Sequence, residues 1–218
     1  MSVWSYRAGA SLVVGALLLG GCAGRGELDT SDGVGVSAVR SACPAVAVPA
    51  GTGDVTLFDP PASVDASAQD LTAVLTDVRS TCGDAGDQIV TTVTFDVLAR
   101  RRDTAAARDV DLPYFIVVVR GGSAVVAKRV GQVRVHFDAG AARAQVAGTA
   151  STQITRAAAT LPADIRQQLT RKRKAGEQDA AVDPLTQPNV RQAVLRASFE
   201  ALVGFQLTDA QLRYNATR

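Results

Sequence analysis

Residues 89–99 read Ile89-Val90-Thr91-Thr92-Val93-Thr94-Phe95-Asp96-Val97-Leu98-Ala99, and this stretch decides the fold. Thr91, Val93, Phe95 and Val97 alternate with Thr92, Thr94 and Asp96. An extended chain turns successive side chains to opposite faces, so a period of two predicts a strand with one covered and one wet face. Threonine, valine and phenylalanine also suit a pleated, half-buried surface.

The rhythm continues in both directions. Asp54 to Phe58 alternates weakly before the Pro60-Pro61 break. Over Thr72 to Cys82, Thr72, Val74, Thr76 and Val78 share one face and predict a strand, in competition with a helix through Leu71, Val74, Leu75 and Val78. Tyr114 to Val119 is apolar on both faces, which predicts a central strand covered on each side. Gly121-Gly122 then predicts a two-residue hairpin turn. Beyond it Val126 and Val130 give way to Val133, Val135 and Phe137, and Gly131 at that phase change predicts a β-bulge. Arg143 to Ile154 alternates small residues with Gln145, Thr149, Ser151 and Gln153, predicting a strand near a sheet edge.

Leu161 to Ala175 changes period. Pro162 suits a first helical position, Ile165 and Leu169 are four apart, and Gly176 is a stop. A polar, Pro-broken loop follows, then a helical turn or two over Asn189 to Arg196. Ala197, Phe199, Ala201, Val203 and Phe205 alternate and predict a strand, the alternative being a continuous helix through Val194, Leu195, Phe199 and Leu202. Thr208 to Gln211 has capping-box spacing, so a short C-terminal helix carries Leu212 and Tyr214. The expected fold is mainly β: an antiparallel β-sandwich of about seven strands, immunoglobulin/fibronectin-like, with one inserted helix and a short C-terminal helix.

At the N-terminus one cation, Arg7, precedes an apolar run from Ala10 to Leu19, which ends in Gly20-Gly21-Cys22. That arrangement predicts a secretory signal over residues 1–21, too short to span a bilayer stably. Leu19-Gly20-Gly21-Cys22 resembles the lipobox of bacterial lipoproteins. The resemblance implies diacylglycerol on the Cys22 sulfur, cleavage before Cys22, and an acyl chain on the freed amine; no other cofactor is expected. Ala23 rather than aspartate after the cysteine implies, by the same resemblance, an outer-membrane anchor facing the periplasm, with the inner membrane as the alternative. Residues 22–42 are rich in Gly, Ser and Asp and read as a flexible tether, leaving 43–218 as a single β-rich domain with 161–190 as a helical and loop insertion. Once Cys22 is lipidated, Cys43 and Cys82 are left as a disulfide pair in an oxidising compartment, or as two buried thiols.

The chemistry-bearing residues point away from catalysis. The chain of 218 residues carries a net charge of +2, so it lacks the basic field of a nucleic-acid binder. His136 is the only histidine and lies among charged strand neighbours; Asp84, Asp87, Asp103, Asp109 and Asp111 read as solvated turn carboxylates. No residues are assigned as catalytic or metal-binding. Trp4, the only tryptophan, falls in the signal, so a stacking platform for glycans is hard to build. Two basic runs, Arg100-Arg101-Arg102 and Arg171-Lys172-Arg173-Lys174, read either as solvated cations or as contacts to anionic headgroups. One face of the central strand, Tyr114, Ile116 and Val118 or else Phe115, Val117 and Val119, needs a cover: the 161–175 helix, the Leu212–Tyr214 segment or another protein. Tyr114, Ile116 and Val118 are therefore the candidate interface.

Val203-Gly204-Phe205-Gln206-Leu207-Thr208, with Gln211-Leu212 and Tyr214-Asn215, Cys43-Pro44 and the Tyr114-Phe115 strand start, resembles a group of uncharacterised Gram-negative envelope lipoproteins. This likeness spans Cys43 to Asn215, with 161–188 as an insertion, and implies an anchor and a β-rich domain but no activity. The expected function is a lipid-anchored, non-catalytic periplasmic β-sandwich that binds another envelope component, with the membrane and an envelope protein as partners. A ligand- or surface-glycan-binding lipoprotein is the alternative, and an envelope hydrolase a more distant one.

Overall fold

The 89–99 stretch lies in strand β4 (Gln88–Arg101) of a computed structural model that describes residues 41–172, 176, 178 and 182–217. Thr91, Val93, Phe95 and Val97 are buried there, while Thr94 and Leu98 face out. Seven further strands surround it: β1 (Ala45–Ala47), β2 (Asp54–Phe58), β3 (Gln69–Ala85), β5 (Arg108–Arg120), β6 (Ala124–Phe137), β7 (Arg143–Thr155) and β8 (Phe199–Phe205). They form two four-stranded sheets, β1-β8-β5-β6 and β2-β3-β4-β7, antiparallel except for the short β1–β8 pair. The inner faces pack a core of Leu71, Val93, Phe95, Val97, Leu112, Val135, Phe137 and Phe205. Residues 41–171 and 182–217 belong to this one unit. No helix among the described residues is long and apolar enough to cross a membrane.

The 72–82 segment is a strand, but its phase differs from the expectation. Leu71, Ala73 and Leu75 point into the core, and Thr72 and Val74 lie on the outer face. The register shifts between Thr76 and Arg79, with Asp77 at φ 49°, so two residues oppose Phe95 alone. Such a bulge reverses the inward parity. Beyond it Val78 and Cys82 pack inward, and Cys82 meets Cys43 with Cα atoms 6.0 Å apart. The disulfide ties β3 of one sheet to the chain entering β1 of the other.

Gly131 marks no bulge. The β5–β6 ladder runs regularly past it and shifts only between Val118 and Val119. Gly131 stands opposite Tyr114, and a Cβ there would lie 2.6 Å from the Tyr114 ring. Gly148 faces Phe95 in the same way, at 2.3 Å. The two rings meet edge to face at 5.2 Å, so each glycine makes room for a cross-strand aromatic. The valines before Gly131 belong to the outer face and those after it to the core. The turn after Arg120 contains three residues rather than two, since Arg120 pairs with Ala124; Gly121 and Gly122 both have positive φ.

Four helices complete the unit: α1 (Arg156–Ala159), α2 (Ala163–Thr170), α3 (Pro188–Ala197) and α4 (Asp209–Thr217). Helix α2 is shorter than the pattern suggested, with Pro162 at its N-cap, and buries Ile165 and Leu169 against Val190, Ala193 and Val194 of α3. The chain leaves α3 at Ala197 and enters β8 two residues later, excluding a continuous helix through Phe199. Thr208 and Gln211 form the expected reciprocal cap of α4: Thr208 N donates to Gln211 Oε1 at 2.8 Å, and Gln211 N to Thr208 Oγ1 at 3.3 Å.

Candidate functional site

The candidate interface on β5 is largely internal. Ile116 and Val118 are 3% and 1% exposed, packed between the sheets, so they offer no surface. Tyr114 is partly buried, and its hydroxyl donates to the Thr149 carbonyl of β7 at 2.8 Å. Val117 and Val119, of opposite parity, are also buried, and α3 lies against this strand. Tyr214 packs instead on Phe58 at 5.1 Å, which places the C-terminal segment over β2. Arg171 and Lys172 follow α2 rather than forming its last turn. Cys22, expected to be lipidated, the expected signal, the expected tether up to residue 40, and Arg173 and Lys174 lie outside the described residues.

Strand alternation splits the Arg100-Arg101-Arg102 run. Arg101 inherits the inward parity of Val97 and Ala99 and is only 3% exposed, contrary to a solvated reading. Its Nε donates to Ala141 O at 2.8 Å, Nη1 to Ala106 O at 2.7 Å, and Nη2 to Asp138 O at 2.8 Å, while the guanidinium lies 5.0 Å from the Phe137 ring centre. A planar fork of five donors suits carbonyls arriving from two loops. Arg102 turns to the Ser67 carbonyl. Arg100 points outward on the face of Thr72 and Arg143.

Along the outer face of β5 and β6, Arg134 pairs with Asp111 at 2.8 Å, and His136 Nδ1 with Asp109 at 2.7 Å. Asp138 lies 3.4 Å from His136 Nε2. The hydrogen bond to Asp109, reinforced by both negative charges, raises the His136 pKa above the ordinary imidazole value; Arg134 lowers that of Asp111 by the same means. Across the sheets, Arg108 holds Asp70 bidentately at 2.7 and 2.8 Å, and this hydrogen bond raises the Arg108 pKa. These contacts bind strand to strand and sheet to sheet. Among the described residues no group of three or more His, Cys, Asp or Glu side chains converges on a point.

Among the described residues two clusters of apolar side chains lie open. The first half of β6, residues 124–130, is exposed on both faces although it reads Ala-Val-Val-Ala-Lys-Arg-Val; Val125, Val126 and Val130 are 64%, 50% and 58% exposed. Among the described residues it forms the edge of its sheet, paired only with β5. The second surface is a trough on the outer face of β3, β4 and β7, floored by Val74 and Leu98 at 48% and 45% exposure. Sequence reasoning missed both. Val126 and Val130 mark only a phase change in the sequence, which does not say that they lie open, and Leu98 carries the signal of outward parity from Val97. The opposition of Arg100 and Arg143 depends on strand order, which local pattern does not contain. No family model, curated protein or solved structure matches the chain.

Proposed function

We propose that the protein is a lipid-anchored, non-catalytic component of the cell envelope, held through Cys22 on the periplasmic face of the outer membrane. In this reading its sandwich works as immunoglobulin- and fibronectin-like domains do, as a rigid carrier of binding surface. The supporting observation is the β6 edge: seven consecutive residues, 124–130, exposed on both faces and carrying three valines. An open apolar edge offers unpaired backbone groups to any extended chain, and soluble proteins usually blunt such edges. Here Lys128 and Arg129 are the only charges on the segment, so the edge suits an extended, acidic segment of a partner protein added as a further strand.

A photo-cross-linking residue at Val126, in cells carrying the full chain, should give one discrete heavier adduct. The same residue at Thr94, on the outer face of the other sheet, should give none. Exchanging Lys128 and Arg129 for glutamate should remove the adduct while leaving the melting temperature within about 3 °C. Equal adducts from both positions, or none from Val126, would exclude this partner surface.

A further inference from the structure

The trough on the other sheet has a chemistry of its own, separate from the β6 edge. Its residues fall into cross-strand rows. One row is Thr72, Arg100 and Arg143; the next is Val74, Leu98 and Gln145. The rows line a depression of about 560 Å3, which lies within the usual range of small-molecule sites, roughly 300–1,000 Å3. Gln145 donates to Asp96 at 3.0 Å and closes the far end of the apolar row. On the near side Arg100 also borders a cleft of about 400 Å3 that contains Gln69 and Asp70. Toward the sheet edge α4 docks on β2, where Asn215 donates to Gly51 O and Asp54 O.

The arginine pair is the unexplained feature. Arg100 and Arg143 are directly opposite on neighbouring antiparallel strands, and both are exposed. Like charges in that position destabilise a sheet. Other arginines do have a carboxylate partner: Arg134 has Asp111, Arg108 has Asp70, and Arg156 has Asp84. Among the described residues neither Arg100 nor Arg143 has a carboxylate within ion-pair distance; Asp70, in the cleft that Arg100 borders, is held by Arg108, and Asp96 accepts from Gln145. Two forked cations side by side match one phosphate group geometrically. They also match it in charge, since a phosphate monoester carries about −1.5 to −2 at neutral pH where a carboxylate carries one unit. The adjoining Val74–Leu98 row would cover hydrocarbon next to that group.

The geometry points to a site for a small phosphate-monoester amphiphile, its phosphate on Arg100 and Arg143 and its hydrocarbon on Val74 and Leu98. This goes beyond the partner-binding reading and does not depend on it.

Hexyl phosphate is a suitable probe, titrated by calorimetry into the full-length chain carrying Cys22→Ser so that no anchor lipid competes. It should bind at least tenfold more tightly than inorganic phosphate, which lacks the hydrocarbon, and than hexanoate, which lacks the second charge. Arg100→Gln and Arg143→Gln should each weaken it tenfold or more, and Leu98→Ser should bring its affinity down to that of inorganic phosphate. Without ligand, each glutamine variant should melt at or above the parent temperature, because a repulsion has been removed. No binding of hexyl phosphate, unchanged affinity in the arginine variants, or parity with inorganic phosphate would overturn the site. A glutamine variant that melts lower without ligand would overturn the claim that the pair is held against repulsion for a ligand.

Discussion

Replacing Arg101 by methionine keeps a long apolar stem in the core and removes the guanidinium from three carbonyls. Those carbonyls, Ala106 on one loop and Asp138 and Ala141 on the other, lie 2.7 to 2.8 Å from its nitrogens, and a fourth, Thr104, lies at 3.5 Å. A hydrogen bond to a charged group contributes about 1.5–3 kcal/mol net. Water can reach some loop carbonyls after the change, and methionine is easier to bury than a cation, so the sum is well below three full bonds. We expect a loss of about 3 kcal/mol, or about 6–12 °C for a chain of this size. Lysine retains the charge but not the fork and should recover less than half of the loss. Urea denaturation with an unchanged m-value is the assay. Hydrogen exchange should localise the effect to Gly140, whose amide donates to Thr104 O at 2.7 Å between the two loops. A loss under about 1 kcal/mol, or full rescue by lysine, would refute the assignment of Arg101 as the clasp of this end of the sandwich.

Cys43→Ala and Cys82→Ala should each lower stability by about 4 kcal/mol in the loop-entropy picture, for a sequence separation of 39, and the double variant by little more; free thiols on both residues in periplasmic material would remove the basis for this. Tyr114→Ser loses a ring packed on Phe95 and Gly131 and the bond to Thr149 O, and should lower stability by about 3 kcal/mol in urea denaturation; an unchanged midpoint would contradict its place in the core. His136 should titrate by NMR above its ordinary value of about 6.5, and Asp109→Asn should bring the midpoint down; an unmoved midpoint would dissociate the pair. Because the folded pKa is raised, the His136 contribution to stability is complete below the unfolded pKa and fades as pH rises through the folded one.

Local pattern carried the fold where one face of a strand is uniformly apolar. Residues 89–99 behave so, and the whole of β4 follows the same parity, including the inward Arg101 that an extension of the alternation by one more step would have found. The pattern misled where packing across the sheet decided the residue. Gly131 and Gly148 are glycines because Tyr114 and Phe95 fill their Cβ positions from neighbouring strands. The phase of 71–78 reads oppositely on the two sides of a bulge at Asp77, and Val74 supplied an apolar signal from the outer face. Tyr114 to Val119 was legible as a doubly covered strand, yet its cover came from the opposite sheet and α3, elements distant in sequence. The arginine pair shares that origin: each residue reads as an ordinary surface cation until β7 is placed beside β4.

The central claim is that this sandwich works on a lipid tether, and intact-mass and peptide mass spectrometry of the protein purified from membranes tests it most directly. The account predicts a chain that begins at Cys22, with a diacylglycerol thioether on its sulfur and an acyl chain on its amine. A chain that retains residues 1–21, or begins at an unmodified Cys22, would contradict it.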